Sequence, residues 1–411
     1  MGLLKQKTRS IVGLDIEPGF VAAAEFSNGG SPRLVKAATA GLGPGLFHEG
    51  EVVDVDGLSE KLRAFFREHE LPKRVRLGVA SQKIAVRVIE LPVIDNDQEL
   101  EAAVRFQAQE ELPMPLEQAV LAHRVLERIN DGDSPRMRVL VVGARRDSVN
   151  HLLAVARRAG LHPELVDLSA FAMIRALYVP RRTDDEMVRY EEPTHVDAPE
   201  DVDLFGHDAG QEHVAEANGE AVAVAEPNEA SVATAESPSS LATVYCYIGG
   251  LTNLAIAVGT NCVFNRVLHN GIESMAATLA ERKGLTLDHS REWLRHVGLE
   301  RDLDNIEGEQ EIITEAREVL ENGARRIADE VRLSMEYYHS TVPDAPRVDA
   351  AVMAGPGIAI AGLNTLFEQH LGMPVEARSM GQIDVQPGAL DGVDSPSLTV
   401  ATGLALDEVT S

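Results

Sequence analysis

TVYCYIGGLTNLAIAVGTNCVFNRVLHNGIESM, Thr243 to Met275, decides how the chain is read. Val244, Cys246 and Ile248 alternate along the first run, and Leu254, Ile256 and Val258 along the second, the period-2 pattern of strands with one face turned to a core. Two tight turns separate three such runs, so the stretch reads as a β-meander whose last strand ends at Gly271 and leads into a helix. Gly249-Gly250-Leu251-Thr252-Asn253 joins the first two strands. Its glycines permit positive φ and close backbone approach, and its N–H groups have the makings of a phosphate cradle. A diglycine hairpin turn with no ligand is the plainer alternative.

Before the meander, SIVGLDIEPGFVAAAEF, Ser10 to Phe26, is a second hairpin turning at Pro18-Gly19, with Asp15 near its bend. An acid at the tip of a buried strand suits a metal-bound water beside phosphates; it also suits a simple turn. Leu58, Leu62, Phe65 and Phe66 recur at helical spacing between Asp54 and Glu70, with Asp56 or Ser59 expected to start the helix. RVRLGVA and IAVRVIELP, between Val75 and Leu91, are β-runs. A helix spans Gln98 to Leu112, carrying Leu100, Val104 and Ala108 as one stripe, and strands follow at Ala119 to Leu126 and Arg138 to Gly143. Asp147 is expected to cap a helix over Val149 to Ala159 that stops at Gly160, and Leu165 to Leu168 is a further strand. Strands alternating with helices indicate a mixed α/β domain.

After the meander, helices are expected at Ile272 to Lys283, Asp288 to Val297 and Glu311 to His339. The last carries Ile312, Ala316, Val319, Leu320, Ala324, Ile327, Val331 and Met335 as one stripe. Arg347 to Ala354 is a strand, Gly355-Pro356-Gly357 a turn, Ile358 to Leu371 a helix, Pro374 to Glu376 a short strand, and Leu398 to Leu406 a helix of small apolar residues. A glycine-rich turn between a strand and a helix is a nucleotide-loop pattern of low specificity. The segment Arg182 to Ser240 differs from all of this. It is acidic, rich in Ala, Pro and Ser and nearly devoid of aromatics, and it reads as a disordered linker that buries too little apolar surface to offset about 1–2 kcal/mol per residue of backbone entropy.

Composition narrows the function. A formal charge of -27 over 411 residues opposes nucleic-acid binding, and the basic pairs Arg145-Arg146, Arg157-Arg158 and Arg181-Arg182 are isolated. No apolar run approaches the roughly 18–20 residues of a membrane span, so the chain reads as a soluble cytoplasmic protein with no direct membrane insertion. Cys246 and Cys262 are the two cysteines, and they read as buried core thiols. The scattered histidines form no hydrolase or metalloprotease motif.

The order of these pieces resembles the actin-like (ribonuclease H-like) ATPase fold, and within it the type IV pilus assembly PilM family, relatives of the cell-division protein FtsA. IVGLDIEPGFVAAAEF, KGLTLDHSREWLRHVGLE and VMAGPGIAIAGLNTLFEQHLGMPVE carry the likeness. So does RVIELPVIDNDQELEAAVRFQAQEELPMPLEQAVLAHRVLE, which resembles the subdomain that this branch inserts into the first actin-like half. The resemblance implies a two-domain α/β fold divided as 1–90 first actin-like domain, 91–161 inserted subdomain, 162–181 return to the first domain, and 182–241 acidic linker. The remainder is 242–270 second actin-like domain, 271–343 helical subdomain, and 344–411 second domain with a C-terminal helix returning to the first.

It further implies a nucleotide site. Asp15 matches the aspartate that holds Mg²⁺ through water, Gly249, Gly250 and Thr252 match the second phosphate loop, Gly271 follows that loop's meander, and Gly355 and Gly357 match the adenosine-side loop. ATP and Mg²⁺ are the implied cofactors. Two departures stand against catalysis: where the family has DIG, then small hydroxyl residues and later a Lys, this chain has Asp15-Ile16-Glu17-Pro18-Gly19 and Ala23, and Tyr247 replaces the aspartate that opens the second loop. A carboxylate about 4 Å from a phosphate charge is repelled by roughly 4 kcal/mol at an effective dielectric of 20, and a tyrosine is neither a hard metal ligand nor a base near neutrality.

The reading is therefore an actin-like scaffold at the inner face of the cytoplasmic membrane, with weak or absent ATP hydrolysis. Its implied partners are the cytoplasmic tail of a PilN-like membrane protein and other proteins of the pilus platform. The tail groove is expected beside Val86 to Pro92 and the helix Gln98 to Leu112, while Leu100, Val104 and Ala108 themselves read as subdomain core. The alternatives are an active ATPase driving assembly, and an FtsA-like filament former, which would carry a membrane-targeting helix after LTVATGLALDEVTS.

Overall fold

A computed structural model describes residues 9–28, 31–129, 135–180, 241–342, 345–380 and 383–406. The acidic segment read as a linker lies outside them. In the first half β1 (Arg9–Glu17), β2 (Phe20–Asn28) and β3 (Arg33–Gly41) form an antiparallel meander. A small ribbon of β4 (Phe47–His48) and β5 (Glu51–Val52) leads to α1 (Val55–Glu68) and β6 (Arg74–Val79). Next come β7 (Ile84–Pro92), α2 (Asp97–Glu111), β8 (Ala119–Ile129), β9 (Arg136–Arg145), α3 (Arg146–Arg158), β10 (His162–Leu168) and α4 (Ser169–Leu177).

The second half opens with β11 (Ala242–Ile248), β12 (Thr252–Val258) and β13 (Asn261–Leu268), the meander read from Thr243 onward. It continues with α5 (Ile272–Lys283), α6 (Leu287–Val297), the 32-residue α7 (Gln310–Thr341), β14 (Val348–Ala354) and α8 (Leu363–Leu371). The edge strands β15 (Val375–Ala377) and β16 (Asp384–Val385) and the helix α9 (Thr399–Ala405) complete it.

The two large sheets repeat one plan. The first runs β10-β6-β1-β2-β3-β16 and the second β13-β12-β11-β14-β15. In each, three antiparallel meander strands are extended by parallel strands on the side of the first: β6 and β10 beside β1, and β14 and β15 beside β11. A third sheet, β7-β9-β8, stands apart and packs α2 on one face, where Leu100, Val104 and Ala108 are buried with Met137, Val139 and Val141. The stripe is subdomain core, as its spacing indicated, and so is no docking face.

Helices cover the large sheets on both sides. α1 and α3 bury Leu58, Leu62, Phe65, Leu152 and Val155 against the outer face of the first sheet. α5 to α8 cover Val244, Cys246, Ile248, Leu254 and Ile256 on the outer face of the second, the face that the alternation picked out. α4 and α9 lie between the sheets. Ile11, Ala22, Ala24 and Phe26 meet Leu398, Ala401 and Ala405 on one side, while Tyr245, Tyr247, Ala255 and Val352 meet Ala170, Met173, Ile174, Val400 and Leu404 on the other.

Three local expectations are corrected. The N-cap of α1 is Asp54, whose Oδ1 accepts from the Asp56 and Gly57 N–H groups at 3.0 Å, so the helix starts before both candidates. Asp147 lies inside the first turn of α3 and pairs with Arg145, the residue at the cap position, because β9 runs directly into the helix. The stretch from Ile358 is not one helix: a 3-10 turn over Pro356–Ala359 comes first, and Gly362, at φ +84°, breaks the path before α8 starts at Leu363.

Candidate nucleotide cleft and a second groove

Asp15 lies on β1 opposite Ala22 and is only 1% exposed. Burial raises its carboxyl from the ordinary range to about 7, against the pull of the Ile16 N–H, and its Oδ2 has no hydrogen-bond partner in the protein. Two residues on along the same strand face, Glu17 is 2% exposed and reaches across to the second half. Its Oε2 accepts the Leu251 N–H at 3.1 Å. Burial first, and then the Asp15 charge, push its carboxyl well above the carboxylate range, while the Leu251 and Gly250 N–H groups pull it down.

Tyr247, next to the last residue of β11, lies beside this pair. It is fully buried, its hydroxyl has no partner, and burial followed by the charges of Asp15, Glu17 and Asp394 keeps it a neutral phenol.

The glycines expected to cradle phosphate instead let the chain approach itself. A Cβ at Gly250 would lie 2.1 Å from the Pro18 carbonyl oxygen, and one at Gly271 would lie 2.4 Å from the Gly250 carbonyl oxygen. Gly249 accepts from the Ile272 N–H at 2.8 Å, tying the turn to the start of α5. Thr252 donates its hydroxyl to the Asn270 carbonyl at 2.6 Å, so that hydroxyl hydrogen is committed to the meander. Gly355, which begins the 3-10 turn at φ +84°, and Gly357 both pack on Ile248 beside Tyr247. The fold thus brings Asp15, Gly249, Gly250, Gly271, Gly355 and Gly357 around the ends of β1 and β11, with Thr252 turned to Asn270.

A cavity of about 240 Å³ opens next to these turns, lined in part by Gly19, Gly250, Glu273, Arg291, Arg295 and Asp394. Arg291 holds Glu273 through two hydrogen bonds of 2.8 and 2.7 Å and also reaches Asp288. The two arginines escaped the sequence reading, although the Asp288-Arg291 pair at i,i+3 marks one face of a helix, because no spacing shows which face meets the cleft. Among the described residues no group of three or more His, Cys, Asp or Glu is placed to hold a metal ion. Cys246 and Cys262 are buried free thiols that burial pushes up to about 12.

A second cavity, of about 330 Å³, lies where the third sheet meets the first half. Ala122, His123 and Arg124 of β8 and Leu140 and Val142 of β9 form one wall, Leu165 to Asp167 of β10 and Phe171 and Arg175 of α4 the other, and Thr260 and Cys262 close one end. Arg175 pairs with Asp167 in the wall and donates to the Gly403 carbonyl at 3.0 Å. Arg124 donates to Asn261 at 2.5 Å, joining the third sheet to the second half. Leu165 is 48% exposed at the mouth. This cavity lies on the face of the third sheet opposite the one that α2 packs for its own core.

Two sheets of one strand order, meeting where turn glycines from both gather, make an actin-like fold. Residues 13–188 match the family model described as Type IV pilus assembly protein PilM. A solved PilM-PilN type IV pilus biogenesis complex is 22% identical with a TM-score of 0.69, the alignment covering 97% of this chain and 98% of that one. The ethanolamine utilization protein EutJ from Carboxydothermus hydrogenoformans follows at 13% identity and TM-score 0.48, covering 97% and 89%. MreB5 of Spiroplasma citri bound to ADP stands at 12% and 0.45, covering 96% and 95%. No helix among the described residues is long and apolar enough to cross a membrane.

Proposed function

We propose that the chain is the actin-like scaffold of a type IV pilus assembly platform, or of a related secretion or competence system, working in the cytoplasm against the inner membrane through its partners. The match of residues 13–188 to the PilM family model carries this reading. The partner is the cytoplasmic tail of a PilN-like membrane protein, and its seat is the groove between β8, β9, β10 and α4. At about 330 Å³ the groove is within the roughly 300–1,000 Å³ range of ligand sites, with apolar walls and a few fixed charges, as side-chain anchors of a peptide require. The domain division given by the resemblance, with residues 91–161 as the inserted subdomain, is proposed on the same ground.

Calorimetric titration of the tail peptide tests the docking role. The expected complex is micromolar, roughly -8 kcal/mol. Leu165→Asp should weaken it at least about tenfold, some 1.4 kcal/mol, without unfolding a chain in which that side chain is already half exposed. No binding by the unaltered protein overturns the role.

The same protein should hydrolyse ATP weakly or not at all. Phosphoryl transfer needs placed cations and an oriented water; here a buried glutamate takes the turn's donor and a neutral phenol stands where the family has an aspartate. The residues present fit a triphosphate poorly at that turn, although Asp15, with an unpartnered oxygen, remains suited to a hydrated Mg²⁺. The retained Asp15 is what favours the rival reading of an active ATPase. Phosphate release should stay at background with and without Mg²⁺. Steady turnover that disappears in Asp15→Ala would establish the rival instead.

A further inference from the structure

We propose that Glu17 is a built-in occupant of the phosphate-type turn: its carboxyl group takes donors that a bound phosphate would take, and so clamps the two halves of the fold together with no nucleotide present. This deepens the reading of a scaffold that does not run on ATP, and it rests on that reading. Backbone N–H groups at a glycine-rich turn form a nest for one anion at a time. In this chain the Leu251 N–H points at Glu17 Oε2 from 3.1 Å, across a sequence separation of 234 residues. The Glu17 side chain is shut away from solvent, so it is seated in the fold and is not a surface group that has strayed there.

The backbone around it is built to the same closure. The Pro18 carbonyl lies against Gly250 so closely that any side chain there would collide with it. Gly19, next along the turn, faces the Glu273–Arg291 pair: a Cβ on it would lie 2.6 Å from Glu273 Oε2 and 3.1 Å from Arg291 Nη2. Three consecutive residues of the first hairpin, Glu17, Pro18 and Gly19, therefore seat on the second half at the place where an actin-like protein is expected to hold phosphate. The carboxyl that bridges the two halves here belongs to the chain itself.

Amide hydrogen exchange resolved at single residues, on the full chain without nucleotide, tests the clamp. The Leu251 amide should be protected at least about 100-fold in the unaltered protein, should stay protected in Glu17→Gln, which keeps an acceptor oxygen, and should lose most of that protection in Glu17→Ala. MgATP or inorganic phosphate at millimolar concentration should restore protection in Glu17→Ala and leave the unaltered protein unchanged. Unaltered protection of β12 amides verifies that each variant is folded. A Leu251 amide that exchanges freely in the unaltered protein, or equal nucleotide affinity in the unaltered protein and Glu17→Ala, overturns the clamp. Tail binding by the same three proteins reads the scaffold assignment separately, since the groove lies on other elements.

Discussion

Gly403→Val is expected to remove about 3 kcal/mol or more of folding stability, enough to leave many domains of this size largely unfolded at physiological temperature. Gly403 lies in α9, where a Cβ would stand 1.8 Å from the Ala172 carbonyl oxygen and 2.4 Å from its carbon. Those are backbone atoms of α4 and have no rotamer by which to retreat. On its other side α9 is held equally close to β1, because a Cβ at Gly13 would lie 1.8 Å from the Ala401 carbonyl oxygen. Relief on one side would drive the helix into the other. Gly43→Ala, at a position with open space around it, should change stability by less than about 0.5 kcal/mol. Urea melts of the two variants decide, and comparable midpoints would show that the helix is not pinned between the sheets.

The second large effect concerns acid and base. Asp15 titrates near 7 in the folded protein and near 3.8 when unfolded, so between those values the folded state binds the proton more tightly. The stabilising contribution is complete below the unfolded value and is lost as pH rises through about 7, with a slope of at most about 1.4 kcal/mol per pH unit. Glu17 on the same strand, whose carboxyl is also raised, acts in the same sense, and Tyr247 and Asp394 are the further titratable groups facing the cluster. Asp15→Asn should therefore flatten the fall in stability between about pH 4 and 7 and gain stability relative to the unaltered protein at pH 8. Parallel stability curves for the two proteins across that window would contradict the buried-carboxyl account.

Most strands and helices were legible because their apolar positions keep a period. The meander from Thr243 is the clearest case, with its alternating side chains facing the helical layer. β3 and α4 went unread for opposite reasons. RLVKAATAG is rich in small residues whose alternation carries little hydrophobic contrast, and SAFAMIRAL is buried on nearly all sides between two sheets, which erases the polar face that marks a surface helix. The candidate cleft shows the same limit. Glu17 was readable as a charge misplaced for a triphosphate, yet its bond to Leu251 spans the two halves, and no local pattern encodes it. The groove joins β8, β9, β10, α4 and the turn at Thr260, so it exists only once those separate segments have been brought together.

The position of α9 also has a consequence for how the chain is made. A ribosome delivers β1 and β2 first, but Ile11, Ala22, Ala24 and Phe26 complete their packing only when Leu398, Ala401 and Ala405 arrive. During synthesis the first sheet must wait with one apolar face uncovered while more than three hundred residues follow it, and such a face is a substrate for holding chaperones. The native packing of the first half is therefore incomplete without the last helix, and a nascent chain stalled before Thr399 lacks the segment that closes it.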